Sequence, residues 1–362
     1  WTMIPPSGKL RDVQRELPHI VDGLGFHIIL LPPIFPTPTT YARMGRYGSP
    51  FAPLDFYAVD PALAEFDRRT TPLEQMEDRL EAPAGREVTV RVTHCGMCHS
   101  DLHLQAGGFD MGGGKLSSFE RAGIKLPVTM GHEIVGEVVE VGAAVSDVAV
   151  GTSVVVYPWL GCGECATCQR GDEHLCVKAA RNLGFHLPGG YADTVRVPHE
   201  KYLVPIGGLD PARAATFACA GITALSAIRK LPEASTDEWV AVIGCGGVGM
   251  TGLALLSATS PAKIVAIDPD PAKRETALAH GAAMAFDPGA PDALKTINKA
   301  CDFNVSGVID FVGSETSSTL AVNLVRRAGT VVIVGLFGGE FKMPLPTFAL
   351  KSISIIGSYV GG

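Results

Sequence analysis

The stretch AVIGCGGVGMTGLALL, residues 241–256, determines the fold predicted for the C-terminal part of this chain. An apolar run from Trp239 to Ile243 predicts a buried strand, and Gly244, Gly246 and Gly249 follow it with G-x-G-x-x-G spacing. The apolar residues after these glycines have the spacing of a helix. Glycines at such a turn let the backbone approach a pyrophosphate, whose charge faces the helix N-terminus. The stretch therefore predicts the phosphate-binding turn of a dinucleotide fold.

An acidic residue strengthens this prediction. The run KIVAIDPD is typical of a second strand, and its Asp268 lies nineteen residues after Gly249. A carboxylate at this position accepts hydrogen bonds from ribose hydroxyls and repels a 2′-phosphate, so NAD is favoured over NADP. Lys273 and Arg274 are close enough to leave NADP open. The predicted cofactor-binding residues are Gly244, Gly246, Gly247, Val248, Gly249, Asp268 and Lys273.

Four cysteines, Cys162, Cys165, Cys168 and Cys176, lie in the run GCGECATCQRGDEHLC. Their C-x2-C-x2-C-x7-C spacing lets one short lobe surround a tetrahedral Zn2+ with four thiolates, which leaves no coordination position open. The spacing therefore predicts a structural zinc. Two disulfides are the alternative, but no signal-peptide pattern precedes the cysteines and the other cysteines of the chain are scattered.

Three dispersed residues, Cys98, His132 and Cys219, form a second candidate ligand set. Two thiolates and one imidazole leave the fourth position of a zinc ion free for water or an alcohol. Spacing alone does not select these residues from nine cysteines and ten histidines. The apolar run ATFACAGITAL around Cys219 by itself favours a buried core cysteine.

Length and composition limit the class of protein. The chain has 362 residues, of which 46% are hydrophobic, and a formal net charge of −7. These values predict a mildly acidic, water-soluble protein of about two domains and give no support for a nucleic-acid partner. Every hydrophobic run is interrupted well short of about 18 residues, so no membrane span is predicted. Thiolate ligands favour a reducing compartment, and we expect a cytoplasmic protein.

The strand pattern from Val88 onward changes near Pro211. The runs REVTVRV, EIVGEVVEVG and TSVVVYP predict a β-rich domain before that point. Six predicted strands then alternate with helices, which is the number in a doubly wound dinucleotide domain. These strands are predicted at residues 239–243, 263–267, 283–286, 308–311, 330–334 and 352–356.

From about Ala82 onward, the chain resembles the zinc-dependent alcohol dehydrogenases of the medium-chain dehydrogenase/reductase superfamily. The motifs that carry the resemblance are CHSDLH, GHEIVGEVVEVG, the four-cysteine run, CAGITAL, the glycine turn and KSISIIGSYVG, in the family's order. The resemblance implies an α/β fold in which a β-rich, GroES-like catalytic domain is joined to a doubly wound Rossmann domain. It also implies that Cys98, His132 and Cys219 bind a catalytic zinc, which overturns the interpretation of Cys219 as a core residue.

The resemblance implies roles for four polar residues as well. Glu133 is a carboxylate near the catalytic metal that can exchange onto it, and Asp101 is an acceptor that orients His132. Ser100 is the first hydroxyl of a proton relay, and His103 is the outer proton acceptor.

Other residues near these motifs have weaker assignments. Cys95 has no ligand counterpart in the family, so we predict a packing role, with a redox pair with Cys98 as the alternative. Trp159 is expected to form a bulky pocket wall that favours short or slender alcohols. The segment Leu104–Pro127 is longer than in compact family members, and its glycines and charges predict a mobile loop at the pocket mouth.

Both ends depart from the family pattern. Family members continue past KSISIIGSYVG, whereas this chain stops at Gly362, so we expect part of the substrate cleft to be missing. The runs LGFHIILLPPIFP and YGSPFAPLDFYAVDPALAEF resemble an N-terminal part of the (β/α)8 barrel in the α-amylase family. That family's catalytic carboxylates lie on later strands, so no glycosidase activity is implied. The predicted domains are a barrel fragment or N-terminal extension at 1–81, a catalytic domain at 82–210 and an NAD-binding domain at 211–362.

The sequence thus predicts an enzyme that transfers hydride reversibly between an alcohol and NAD, with one catalytic and one structural zinc. A non-catalytic chimeric or truncated protein that binds zinc and NAD is the alternative. A zinc-free reductase of the same superfamily is disfavoured because such members lack both ligand sets. The expected partners are a small alcohol or aldehyde and further copies of the chain, because the strand in KSISIIGS pairs subunits in family dimers and tetramers.

Overall fold

The computed structural model describes residues 82–361 of the chain. The predictions for residues 1–81, a barrel fragment or an N-terminal extension, lie outside the described residues. The described residues from Pro83 onward form one compact unit.

Seven strands lie in the N-terminal half of the described chain, and five of them form one sheet. In chain order the strands are β1 (Val88–Gly96), β2 (Gly108–Asp110), β3 (Leu116–Ser118), β4 (Glu133–Val141), β5 (Ser153–Val156), β6 (Thr194–Val197) and β7 (Leu203–Pro205). The antiparallel sheet has the order β6-β1-β4-β5-β7, and its core includes Val88, Val90, Ile134 and Val154. Valine and isoleucine fit a pleated, buried surface, so the predicted β-rich domain is confirmed.

The remaining two strands form a hairpin within the segment predicted as a mobile loop. Strands β2 and β3 pair antiparallel, and the backbone N–H of Met111 donates to the Lys115 carbonyl over 2.9 Å. The intervening residues 112–114 are glycines with positive φ, which lets the chain reverse tightly between the strands.

Six parallel strands form the sheet of the C-terminal half. They are β8 (Trp239–Ile243), β9 (Lys263–Ile267), β10 (Met284–Phe286), β11 (Val305–Asp310), β12 (Thr330–Ile333) and β13 (Ser354–Gly357). Their order is β10-β9-β8-β11-β12-β13, the order of a doubly wound dinucleotide-binding sheet. The strand order reverses at the boundary between β8 and β11: β9 and β10 follow on one side, and β12 and β13 on the other. Ligands of such sheets bind at this boundary, beyond the carboxyl ends of the strands. All six predicted strands are present, with bounds shifted by up to three residues.

Helices cover both faces of the parallel sheet. In chain order the α-helices are α1 (His99–Ala106), α2 (Ala166–Gln169), α3 (Pro211–Ala214), α4 (Ala220–Ile228), α5 (Gly247–Thr259), α6 (Pro271–Ala279), α7 (Ala293–Ala300), α8 (Glu315–Leu324) and α9 (Leu345–Lys351). Strand β8 is buried along its whole length, and its alternate residues enter two different core clusters. This burial on both faces explains why its sequence is continuously apolar.

Within residues 82–361 no single helix has the length and apolar composition of a membrane span, and one bent pair, Pro211–Ala218 with Ala220–Ile228, meets the criterion by length and composition only.

The turn between β8 and α5 depends on two glycines. Gly244 has φ +87°, a conformation that side chains with a Cβ rarely adopt. Gly249 packs so closely against this turn that a Cβ would lie 1.8 Å from the Gly244 carbonyl oxygen. The absent side chains therefore let α5 begin directly at the end of β8.

We predict that Gly249→Ala lowers the free energy of unfolding by about 1–3 kcal/mol. The added methyl group would overlap the Gly244 carbonyl oxygen, which is part of the backbone and cannot rotate away as a side chain could. Urea unfolding of the purified protein measures the change. The matched control is Gly246→Ala, where a Cβ would meet no atom within 4 Å. Equal effects of the two substitutions would contradict this account of the turn.

Candidate active site and metal-binding clusters

Three potential metal ligands from separate segments converge at one place. Cys98 directly precedes α1, His132 directly precedes β4, and Cys219 directly precedes α4. Their candidate donor atoms all lie within 4.8 Å of one another. The Sγ atoms of Cys98 and Cys219 are 3.8 Å apart, well beyond the S–S bond length of about 2 Å in a disulfide. The fold thus brings together the dispersed set that spacing alone could not select.

His132 is fully buried, and neither ring nitrogen has a hydrogen-bond partner. Its Nδ1 lies 3.4 Å from Asp101 Oδ1, while the other oxygen of Asp101 accepts hydrogen bonds from the Cys98 N–H over 3.0 Å and from the Tyr191 hydroxyl over 2.9 Å. A buried polar atom without a partner costs about 1–3 kcal/mol. An ion bound by His132 and the two thiolates would satisfy this donor set, so the residues present fit a zinc site.

Neighbouring groups in the cluster shift one another's pKa values. Hydrogen bonding with Cys219 and a charged His132 lower the pKa of Cys98 to about 4, against the opposing effect of burial. Burial lowers the pKa of His132, but Asp101 and Cys98 outweigh it and raise the value to about 9. Burial raises the pKa of Glu133, the next residue in the chain, to about 7. The cluster therefore stabilises a thiolate next to a positive charge.

The four cysteines of the predicted structural site also converge. The Sγ atoms of Cys162, Cys165, Cys168 and Cys176 lie within 4.8 Å of one another, and none forms a disulfide. The backbone N–H groups of Cys162 and Cys165 point at sulfurs of the set over 3.4 and 3.3 Å. Such N–H···S contacts stabilise thiolates, so this set fits a closed zinc site and does not support the disulfide alternative.

Glu173 connects this lobe to the antiparallel sheet through hydrogen bonds. Its Oε2 accepts the Tyr202 hydroxyl over 2.6 Å and the Gly161 N–H over 3.3 Å, while Oε1 accepts a hydrogen bond from Lys201. Tyr202 belongs to the core of that sheet, so the lobe is held in a fixed position.

A single cleft of about 630 Å³ reaches both the three-ligand cluster and the glycine turn. Cys98 and Cys219 line it, but His132, Asp101 and Glu133 lie behind its surface. All seven predicted cofactor-binding residues also line it, namely Gly244, Gly246, Gly247, Val248, Gly249, Asp268 and Lys273. The candidate metal ligands Cys98 and Cys219 and the glycine turn therefore face one space.

Aromatic rings form the wall of the cleft beside the cluster. Trp159 is buried, and its ring centroid lies 5.4 Å from that of His132 and 6.1 Å from that of Phe185. Its indole N–H donates to the Ala218 carbonyl over 2.9 Å, one residue before a metal-ligand candidate. The predicted position of Trp159 in the pocket wall agrees with this geometry.

The two predicted relay residues also line the cleft. Ser100 is partly buried, two residues after Cys98. The ring of His103 packs 5.0 Å from those of both His99 and Phe109, and burial together with His99 lowers the pKa of His103. His103 is therefore neutral near pH 7.

Asp268 is buried at the end of β9, and both its oxygens accept backbone hydrogen bonds. Oδ2 accepts the Cys245 N–H over 2.8 Å, and Oδ1 accepts the Asp270 N–H over 2.9 Å. Arg274 donates to the Asp268 and Pro269 carbonyls, and it does not line the cleft, unlike Lys273. The carboxylate is thus held rigidly beside the glycine turn.

Sequence reasoning missed two residues that organise the site. Tyr191 bonds to Asp101, and no motif marks it. Asp310, fully buried at the end of β11, accepts the N–H groups of Val312 and Gly313 over 3.0 Å each, and the hydroxyls of Ser317 and Ser318 over 2.9 Å each. An acid that ends an apolar strand before Gly-Ser residues is the signal that could have found it.

Cys95 behaves as predicted for a packing residue. Its side chain lies against the core of the antiparallel sheet, and burial raises the pKa of its thiol to about 11. A thiol that stays protonated is a poor redox nucleophile.

The fold and the cleft are those of dehydrogenases in which a dinucleotide-binding turn and a set of candidate zinc ligands lie at the same cleft. The chain matches the family described as "Alcohol dehydrogenase GroES-like domain" over residues 84–208 and the family described as "Zinc-binding dehydrogenase" over residues 247–362. The NAD-dependent alcohol dehydrogenase of Saccharolobus solfataricus is 36% identical over 80% of this chain and 82% of its own. The chain belongs to the zinc-dependent alcohol dehydrogenases of the medium-chain dehydrogenase/reductase superfamily.

Solved structures confirm the predicted fold class. The D-arabinose dehydrogenase from Sulfolobus solfataricus has a TM-score of 0.70 and 30% identity, over 78% of this chain and 85% of its own. The alcohol dehydrogenase from Aeropyrum pernix has a TM-score of 0.68 and 30% identity, over 79% and 82%. These similarities do not support the barrel resemblance of residues 1–81 or the expected truncation.

We predict that Asp268→Ala weakens NAD binding about tenfold or more and reduces the discrimination against NADP. The substitution removes a buried carboxylate and leaves the N–H groups of Cys245 and Asp270 without their acceptor. Each buried N–H group left without a partner costs about 1–3 kcal/mol of stability. Fluorescence titration with NADH and NADPH measures both affinities. Unchanged preference in Asp268→Ala, with Asp270→Ala as the neighbouring control, would contradict the assignment.

Proposed function

We propose that this protein oxidises an alcohol to an aldehyde or ketone with NAD as the hydride acceptor, and catalyses the reverse reduction. The observation that carries the proposal is that one cleft is lined by Cys98 and Cys219 at one end and by the glycine turn at the other. The named relatives are alcohol dehydrogenases, which supports the same reaction.

In this proposal Cys98, His132 and Cys219 hold a catalytic zinc. When bound, zinc lowers the pKa of an alcohol hydroxyl as a Lewis acid, and NAD supplies the hydride acceptor. Asp101 fixes the orientation of the His132 ring through Nδ1, and Tyr191 in turn holds Asp101. Glu133 stands behind the ligands as a carboxylate able to exchange onto the metal.

Ser100 and His103 move the proton. The Ser100 hydroxyl is the first acceptor on the cleft surface, and His103 passes the proton outward. A neutral imidazole can accept a proton, and its lowered pKa keeps His103 neutral at pH 7. The aromatic wall around Trp159 excludes water from this part of the cleft and favours slender alcohols.

The other assignments concern cofactor binding, structure and assembly. We assign NAD binding to Asp268, Lys273 and the turn residues Gly244, Gly246, Gly247, Val248 and Gly249, the last three of which supply the first backbone N–H groups of α5. The lobe of Cys162, Cys165, Cys168 and Cys176 holds a structural zinc. The proposed domains are 82–210 and 211–362. Strand β13 is the last strand of its sheet, which supports pairing in a homodimer or homotetramer. The thiolate ligands favour a cytoplasmic, reducing location.

We predict two zinc ions per chain. Cys98→Ser should retain one, bound by the four-cysteine lobe, and should keep NADH binding and thermal stability close to wild type. Cys162→Ser should lose the zinc of the four-cysteine lobe and lower the thermal midpoint, because a structural zinc contributes directly to folding. Atomic emission analysis and thermal unfolding provide the readouts. Retention of both ions in Cys98→Ser would argue against the catalytic ligand set.

Growth of NADH absorbance on primary alcohols tests the reaction itself. We expect turnover by the wild-type protein, no turnover by Cys98→Ser, and a kcat about 100-fold lower in Ser100→Ala. Ser100→Thr, which keeps a hydroxyl, should recover most of the rate. NAD binding without turnover of any alcohol or aldehyde would instead support the alternative of a non-catalytic zinc- and NAD-binding protein.

A further inference from the structure

The base of the hairpin β2–β3 is held by a hydrogen bond beside the candidate metal ligands Cys98, His132 and Cys219. Gly107, where α1 ends, has a carbonyl that accepts the Phe119 N–H over 3.0 Å, which closes the base of the hairpin. Phe109 on β2 packs edge-on against Phe119 with centroids 4.8 Å apart, and its ring lies 5.0 Å from that of His103. Phe109 packs against the same apolar cluster as Cys98 and lines the cleft.

The tip of the hairpin contacts the other domain. A Cβ added at Gly338 would lie 2.7 Å from both Cβ and the carbonyl oxygen of Asp110. A Cβ added at Gly112 would lie 2.5 Å from Cγ and 2.9 Å from the backbone nitrogen of Glu340. Two glycines thus let the hairpin and the loop after β12 approach within backbone contact.

That loop is itself fixed beside the cofactor end of the cleft. Phe337 and Gly338 donate backbone hydrogen bonds to the Val312 and Gly313 carbonyls, each over 3.1 Å. The N–H groups of those same two residues bond to buried Asp310. The hairpin is therefore supported at both ends, so it cannot collapse into space created beside Phe109.

We propose that the hairpin β2–β3 sets the width of the substrate end of the cleft and that Phe109 is its specificity-determining residue. The inference rests on the proposed dehydrogenase function. Phe109 is only partly buried, whereas Phe119, Trp159 and Phe185 behind it are buried in the wall. Phe109 thus forms the partly exposed edge of the wall, and it selects unbranched primary alcohols against alcohols branched or ring-substituted next to the carbinol carbon.

Substrate ratios in Phe109→Ala test the role of the ring. We expect kcat/KM for branched or benzylic alcohols to rise at least about tenfold relative to 1-propanol, with KM for NAD unchanged, because a supported wall leaves the vacated volume open. The control is Phe303→Ala, which removes an exposed ring that does not line the cleft. An unchanged ratio would overturn the inference while leaving the proposed function intact. Absence of any turnover by wild type would overturn both.

A pair of glycine substitutions tests the support of the hairpin without relying on activity. Gly112 and Gly114 have φ +78° and +74°, but a Cβ at Gly114 would meet no atom within 4 Å. We expect Gly112→Ala to speed hydrogen exchange of the Met111 and Lys115 amides at least about tenfold relative to Gly114→Ala, and to relax the substrate ratio in the same direction as Phe109→Ala. Equal exchange in the two variants would show that the contact with Glu340 does not support the hairpin and would overturn the proposal.

Discussion

The burial of His132 is the constraint on which the active site depends. Its side chain is fully buried with both ring nitrogens lacking hydrogen-bond partners, and the thiols of Cys98 and Cys219 lie beside it. Desolvated polar groups are tolerated in a core only when something compensates them. A cation bound by His132 and the two cysteines would do so. Asp101, held by Tyr191, would then fix the orientation of the His132 ring.

The strand order explains why this cluster faces the cofactor end. Between β8 and β11 the connections run to opposite sides of the sheet, which opens a crevice at the carboxyl ends of these two strands. The glycine turn follows β8, and the loop held by Asp310 follows β11. Four hydrogen bonds to a carboxylate with no exposure make that loop rigid. The crevice is thus built before any ligand enters, which lowers the entropic cost of binding.

Sequence patterns predicted the strands and the local motifs well, because these depend on residues close together in the sequence. The apolar strands, the glycine turn with Asp268 and the four-cysteine lobe each lie within a short run. The set of Cys98, His132 and Cys219 could not be derived this way, since its members lie in separate segments that meet only in the folded chain; family resemblance supplied it. The glycine-rich segment Leu104–Pro127 predicted mobility, but its glycines permit a turn and a close contact that only the tertiary structure shows.

The contact between the hairpin and the loop after β12 links the substrate end of the cleft to its cofactor end. The loop after β12 presents Leu336 and Phe337 to the cleft and, one residue later, packs Gly338 against Asp110. A displacement of this loop by a dinucleotide would therefore be transmitted to the hairpin, because Gly338 has no side chain and its backbone packs directly against the Cβ and carbonyl oxygen of Asp110. Closely packed contacts resist continuous deformation, so the substrate wall and the cofactor end should change position together.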